Sequence, residues 1–397
     1  MTTVDYTTPG SSAAVIAEDD GQYDYMDNFT YYVSAGELDK FLYSRADTMI
    51  VCVLMPAVFI IGFIGNALTV YVFMRGRGMQ SVTNLLLVNL AIADIIFLLV
   101  VVPPKLYMYA SASVPLLNDW TALGNAGCKA FNYLSGVTIA VSCITIIILA
   151  LEKYLAIRWY IKFRVYRTKK NVVIICVVIW LFCLVYMIPE LCFKVATAHK
   201  IAWPEFLSNH TDLSTTFTQC GQCFGTDGCQ FYSVYYVIGQ FLFLCMLPLL
   251  VCVYLLILMR LVQTERSTGK SLTAKASYRA KKQLIRMLLA TTLVFLICIV
   301  PYRMIALIVF YQDHFSLDNL AVSVSLNVCR TMTYINSAAN PIIYNVLCDK
   351  YRQAFKETLT ACLPKSDGYE CHNDANGMVT MTTLSTRRGS RGKKCEG

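Results

Sequence analysis

The segment Arg330 to Tyr344, RTMTYINSAANPIIY, puts strong hydrogen-bonding groups into a stretch apolar enough for a membrane. Asn336, Asn340 and Tyr344 recur every four residues and share one helix face, while Pro341 removes a backbone donor beside them. The segment reads as a helix with a ligand end at Arg330 and a switch end at Asn340-Pro341-Ile-Ile-Tyr344. Related groups stand in other apolar stretches: Asp94, Ser142, the triplet Glu152-Lys153-Tyr154, and Pro301-Tyr302-Arg303. Polar groups at membrane depth are expensive, so they turn toward other helices or trapped water and are functional candidates by default. Asp94 must be neutralised or paired, and Ser142, about midway along its span, is placed to reach it. Arg303 lies too deep for a casual surface cation. With Arg330 across a cavity and Lys105 at the rim it would offer three cations to an anionic or carbonyl-rich ligand. The alternative is that these cations pair with Glu190, Asp313 or Asp318.

The elements that position these groups are membrane spans. The 397 residues are 56% hydrophobic and only 15% charged, too apolar for an ordinary soluble domain. Seven runs of about 20 or more apolar residues can each cross a hydrocarbon core, near 47–75, 80–109, 128–157, 171–191, 230–260, 283–311 and 322–346. Basic residues gather at Arg75 and Arg77, from Arg158 to Lys170, and from Arg260 to Lys282. The sequons at Asn28 and Asn209 fall on the opposite side. Both signals put the N-terminus outside and the C-terminus in the cytoplasm of a multi-pass plasma-membrane protein. The net charge of +9 is then a topology and lipid-headgroup effect, and nucleic acid is not expected as a partner. With no basic residue before Lys40 and no apolar core near Met1, the first span is expected to act as the signal.

Cys128, Cys220, Cys223 and Cys229 fall on the oxidising side, where disulfides persist. Pairing Cys128 with Cys220 leaves Cys223 and Cys229 for a second bridge around FGTDG, although Cys128 could instead take Cys223. A zinc site is not expected from this spacing, because no His is interleaved. Trp120, in the loop after span two, reads as an interfacial anchor. Residues 1–46 are acidic and polar and read as a disordered extracellular tail, followed by a bundle over 47–346. Over 347–362, Val346, Leu347, Tyr351, Phe355 and Leu359 recur near helical spacing, the pattern of an amphipathic helix on the inner leaflet; Cys362 is then a palmitoylation candidate. Residues 363–397 read as a disordered cytoplasmic tail with phosphorylation candidates from Thr380 to Thr386. Prolines in the outer parts of several spans, Pro103, Pro104, Pro189, Pro248 and Pro301, suggest a cavity opening outward.

Gly65-Asn66, Leu90-Ala-x-x-Asp94, Cys128, Glu152-Lys153-Tyr154, Trp180, Pro248, Phe295 with Pro301, and Asn340-Pro341-Ile-Ile-Tyr344 together resemble a rhodopsin-like G protein-coupled receptor across all seven spans. The resemblance implies an all-α seven-transmembrane helix bundle with an amphipathic eighth helix, and a receptor rather than an enzyme. It implies an extracellular peptide ligand, a heterotrimeric G protein inside, and a receptor kinase and arrestin as further partners. Span six would swing about Pro301 while Lys153, Tyr154 and Tyr344 rearrange. It further implies no cofactor beyond a sodium ion held by Asp94, Ser142, Asn336 and Asn340. Pro301-Tyr302-Arg303, Cys329-Arg330 and Tyr334-Ile-Asn-Ser-Ala-Ala-Asn-Pro more narrowly resemble receptors for thyrotropin-releasing hormone, in which the matching Tyr and Arg contact a short amidated peptide. That carries Tyr302 and Arg330 over as ligand contacts, with Ser135 and Tyr334 beside them. Ser135, Gly136 and Ala140 stand where those receptors have Gln, Tyr and Asn, implying a different, longer neuropeptide.

Two departures touch the switch: Lys153 replaces the family's arginine and Ile299 its tryptophan. Lysine lacks arginine's planar fork, so its pairing with Glu152 should differ. They motivate a non-signalling decoy as an alternative. A transporter would need paired broken helices or inverted repeats, which are not visible, and a retinal protein needs a lysine in span seven, where 322–346 has none and Tyr334 takes its place.

Overall fold

The computed structural model describes residues 30–34, 38–75, 81–159, 165–208, 212–222, 227–267, 272–310, 319–362, 369–373 and 379–383. Its principal helices are α1 (Arg45–Arg75), α2 (Val82–Ala110), α3 (Gly124–Arg158), α4 (Lys169–Phe193), α5 (Asp227–Ser267), α6 (Leu272–Phe310), α7 (Asn319–Leu347) and α8 (Asp349–Cys362). Among the described residues, α1 to α6 are long and apolar enough to cross a membrane. The 29 residues of α7 are more polar yet span about 43 Å at the helical rise, long enough to cross as well. The protein is a multi-pass, all-α membrane bundle.

Local chemistry sets the helix ends. Ser81 and Thr168 each accept a backbone N–H at 3.2 Å to cap α2 and α4. Pro56 has no N–H to offer, and the ladder just before it widens into a π turn over Ile50–Leu54. The bundle is apolar outward and polar inward. Ile60, Ile61 and Ile64 on α1 and Val177, Val178 and Leu181 on α4 are exposed, whereas Asn66, Asn89, Asp94 and Thr145 are buried. A Cβ on Gly65 would lie 3.0 Å from Pro341, so α1 and α7 approach closely there. Asn66 Nδ2 donates to the Ser337 carbonyl at 2.8 Å across that contact. Trp180 Nε1 donates to Asn89 Oδ1 at 2.9 Å and Asn89 Nδ2 to Thr145 Oγ1 at 2.8 Å, tying α4, α2 and α3.

Over the end of the bundle at which α1 begins, the outer end in the expected orientation, lies a three-stranded sheet in the order β1 (Thr30–Tyr32), β2 (Lys194–Ala202), β3 (Thr216–Gln222). β2 and β3 are antiparallel, and β1 pairs parallel to β2 from Thr30↔Lys200 to Tyr32↔Ala202. The tail expected to be disordered is therefore ordered near its end. Tyr31, Val33, Phe41 and Leu42 pack with Leu116, Ile201, Trp203 and Phe217, enough apolar surface to hold an otherwise polar strand. Trp120 is not an interfacial anchor: it is buried beneath the sheet, its backbone N–H donating to the Thr218 carbonyl at 2.8 Å. At the opposite end Tyr351 and Phe355 of α8 are buried beside Phe73. Beyond α8, β4 (Tyr369–Asn373) and β5 (Val379–Thr383) form an antiparallel hairpin where a structureless tail was expected, the Val and Thr residues of β5 favouring strand.

Candidate functional site

Arg330, on the outer half of α7, donates from Nη1 to Asn118 Oδ1 at 2.8 Å. Asn118 lies between α2 and α3 with a φ of 58°, a left-handed conformation that asparagine tolerates better than most residues. Lys105 Nζ sits near the same end, 5.1 Å from the Trp120 ring centre and 5.9 Å from that of Phe131. Tyr43, just ahead of α1, is within electrostatic range of Arg330, and burial pushes its hydroxyl up to about 12, so it stays neutral. Tyr334 is buried against Phe97, with ring centres 6.1 Å apart. Lys105, Arg330 and Tyr334 thus belong to one outer cluster.

Arg303 does not join it. Its guanidinium lies 5.3 Å from the Phe243 ring centre and lines a cavity of about 200 Å³ among α3, α4, α5 and α6. One residue along a helix is a rotation of about 100°, so neighbours in sequence face different partners. Tyr302 stands within electrostatic range of Tyr334 on α7 and of Tyr236 on α5. The expected single cavity with facing cations is not what the structure shows: Arg303 lines this cavity, whereas Lys105 and Arg330 are not among its lining residues. The pairing of Arg303 with Glu190 is also absent at ion-pair distance among the described residues; Glu190 accepts instead from the Tyr232 hydroxyl at 3.0 Å. Asp313 and Asp318 lie outside the described residues. Ser135 turns its hydroxyl to the Asn132 carbonyl of its own helix at 3.3 Å.

Deeper in, Asp94, Ser142 and Asn336 line a small cavity of about 10 Å³ with Thr138, Phe295 and Ile299. Asn340 Nδ2 donates to Asp94 Oδ2 at 2.7 Å. These are oxygen donors around a buried carboxylate, the ligand chemistry a hard cation prefers. Ile299 reaches this space where a larger ring would crowd it, and Phe295 and Ile299 continue into the apolar cluster that packs α3 and α5 against α6. Pro301 lies two residues later within the continuous α6, where it withholds one backbone donor from the ladder.

At the inner end, Glu152 and Lys153 are both buried and pair at 2.6 Å. Lys153 also donates to the Thr83 hydroxyl. Arg167, from the α3–α4 connection, donates through Nε to Glu152 Oε1 at 2.5 Å. Tyr154 is half-buried, its ring 6.4 Å from that of Trp159. Tyr254 of α5 shares a 2.8 Å hydrogen bond with Thr292 of α6, and Tyr344 is fully buried with its hydroxyl unpartnered. Pro341 gives that turn no donor, and Asn345 Nδ2 donates to its carbonyl at 3.0 Å.

A disulfide joins Cys128 to Cys220, fixing β3 to the start of α3. Cys229 is also disulfide-bonded, while Cys223 lies outside the described residues, as do Asn28 and Asn209. Cys362 is the last residue of α8. Asn118, Thr83 and Arg167 were not singled out from sequence: each is a common loop or helix-surface residue type, and only its contact makes it notable.

A family model described as 7 transmembrane receptor (rhodopsin family) matches residues 65–344. Among curated proteins, the Bombyx mori allatostatin-A receptor is 28% identical over 369 residues, covering 93% of this chain and 92% of that protein. The Rattus norvegicus galanin receptor type 2 is 27% identical over 353 residues, covering 87% and 84%, and the Danio rerio galanin receptor 2b is 29% identical over 349 residues, covering 85% and 83%.

Proposed function

The chain belongs to the rhodopsin family of seven-transmembrane receptors, and from that premise we propose a plasma-membrane receptor for a short amidated neuropeptide, signalling through heterotrimeric G proteins. It is a receptor and not an enzyme. Relatives named for allatostatin-A and galanin support a peptide ligand. The finer likeness to thyrotropin-releasing hormone receptors rests on the segments around Tyr302 and Arg330 alone. The observation that carries the reading is the outer cluster in which Arg330 reaches Asn118 beside Lys105, because a guanidinium and an ammonium together suit the carbonyl-rich end of a peptide. Tyr302, Tyr334 and Ser135 complete the proposed site, and the N-terminal side faces outward.

Agonist must bind the open state more tightly than the closed one, since equal binding would signal nothing. The described arrangement is closed inside: Tyr254 holds α6 through Thr292, and α3, α5 and α6 share one apolar cluster. Opening moves α6 about Pro301 and frees Glu152, Lys153, Tyr154 and Tyr344 to rearrange. Asp94, Ser142, Asn336 and Asn340 would hold a sodium ion, which would favour the closed packing. Arrestin, a receptor kinase, membrane lipid, glycans on Asn28 and Asn209 and a palmitate on Cys362 are further proposed partners and modifications.

The test is expression of the receptor with calcium and cAMP readouts against an amidated-peptide library. A peptide that raises either signal supports the reading. Saturable peptide binding with no response in any G protein assay would replace it with a decoy receptor, for which Lys153 and Ile299 are the motivating residues.

A further inference from the structure

The cavity that contains Arg303 opens in an unusual direction. Two of its lining residues, Phe182 on α4 and Leu242 on α5, are 56% and 50% exposed. Both stand well inside their helices, among Val178, Leu181 and Val185 on one and Ile238, Phe241 and Leu249 on the other, all exposed and apolar. In a spanning bundle such a surface faces hydrocarbon. The mouth of the cavity is therefore lateral, toward the bilayer.

Its inner end is polar and unsatisfied. Arg303 Nε is buried with no hydrogen-bond partner, and so is Oε1 of Gln240, a residue only 3% exposed. One is a donor and the other an acceptor, both lining an otherwise largely apolar space. Buried polar atoms without partners are rare and costly in folded proteins. Glu190 lines the same space, so an anionic group there would meet a carboxylate. An uncharged head that accepts one hydrogen bond and donates another meets all three conditions.

We propose that this cavity is a membrane-facing site for a neutral single-chain lipid with a carboxamide-like head. Its carbonyl accepts from Arg303 Nε and its N–H donates to Gln240 Oε1. A dry cavity of about 150 Å³ holds one small ring, so about 200 Å³ encloses the head and the first few carbons. The rest of the chain leaves between Phe182 and Leu242 into the bilayer. The site is separate from the outer cluster proposed for the peptide, and its assignment does not depend on that reading.

The test uses the full-length receptor in phosphatidylcholine nanodiscs with a photoreactive primary fatty amide, followed by proteolysis and mass spectrometry. Labelling should map to α4 and α5 around Phe182 and Leu242, and excess unlabelled amide should cut it at least about fivefold. Gln240→Leu and Arg303→Leu should each cut it by a similar factor, about the worth of one buried hydrogen bond, and the mouth-filling Leu242→Trp should cut it at least as far by blocking entry. Leu242→Trp changes a lipid-facing residue, so its loss of labelling would not reflect misfolding. The matching fatty acid should label at least about fivefold more weakly. Labelling that does not saturate, that spreads over all lipid-facing helices, or that is unchanged in the three variants would mean annular lipid only and would overturn the proposal. Equal labelling by the carboxylate would overturn the neutral-head assignment. No peptide enters this assay, so a receptor that answers no peptide leaves its outcome untouched.

Discussion

Arg167 closes on Glu152 from the α3–α4 connection, giving one buried carboxylate a guanidinium from the loop and an ammonium from the adjacent Lys153. Lysine is a point donor, and here the planar fork that the helix lacks arrives from another segment. The pair is partly exposed on the arginine side, so it should be worth about 0.5 to 1 kcal/mol. Arg167→Ala should raise ligand-independent signalling about two- to fivefold at equal surface expression, read by a basal calcium or cAMP assay. An unchanged baseline would reduce Arg167 to an anchor for the loop.

Arg330→Ala should lower agonist potency at least about tenfold without loss of surface expression, since a charge-assisted bond is worth about 1.5 to 3 kcal/mol. Asn118→Ala removes only the partner that holds Arg330 in the absence of ligand. Its effect should stay within about threefold. Equal losses in the two variants would show that Arg330 acts by bracing the loop and does not meet the peptide.

The Cys128–Cys220 bridge closes a separation of 92 residues, worth about 4 to 5 kcal/mol in chain-entropy terms. Cys220→Ser should therefore cut surface expression sharply and lower the thermal midpoint of the purified receptor. The double variant with Cys128→Ser should fare no worse than the single one, and a clear further loss in the double would show that the two cysteines act separately.

His199 on β2 packs its ring against Tyr31 of β1 and Phe217 of β3, with centres 5.4 and 5.5 Å away, and burial holds it below its ordinary value. The docked sheet thus prefers the neutral ring. Docking is at full strength above the ordinary value of about 6.5 and is lost as pH falls through the lowered value of the docked form. The protection of the Thr30–Tyr32 amides against exchange, corrected for the pH dependence of the intrinsic rate, should fall as pH drops below about 6.5, and His199→Phe should flatten that dependence. A pH response that survives His199→Phe would place the titrating group elsewhere.

The bundle was legible because hydrocarbon imposes one rule on every span: long apolar runs, with basic residues gathered on one side. The Arg330–Tyr344 segment was legible for the same reason, since polar groups stand out where lipid forbids them. Helix rotation was not. Tyr302 and Arg303 look equivalent in sequence, yet one residue of helical turn sends Arg303 toward α5 and away from Arg330. The tail strand was hidden by composition, because acidic residues dominate the stretch while a few apolar ones decide its packing. Arg167 read as one more basic residue of an inner loop, and only its contact with Glu152 distinguishes it.

Tyr302 stands between Tyr236, at the lateral cavity, and Tyr334, in the outer cluster. A single side chain on α6 thus lies within electrostatic range of both the cavity proposed for the lipid and the cluster proposed for the peptide. Linkage between two binding equilibria is reciprocal, so whatever the lipid does to the peptide's affinity, the peptide does to the lipid's. With both proposed sites occupied, the composition of the surrounding membrane would become a variable of the dose–response curve.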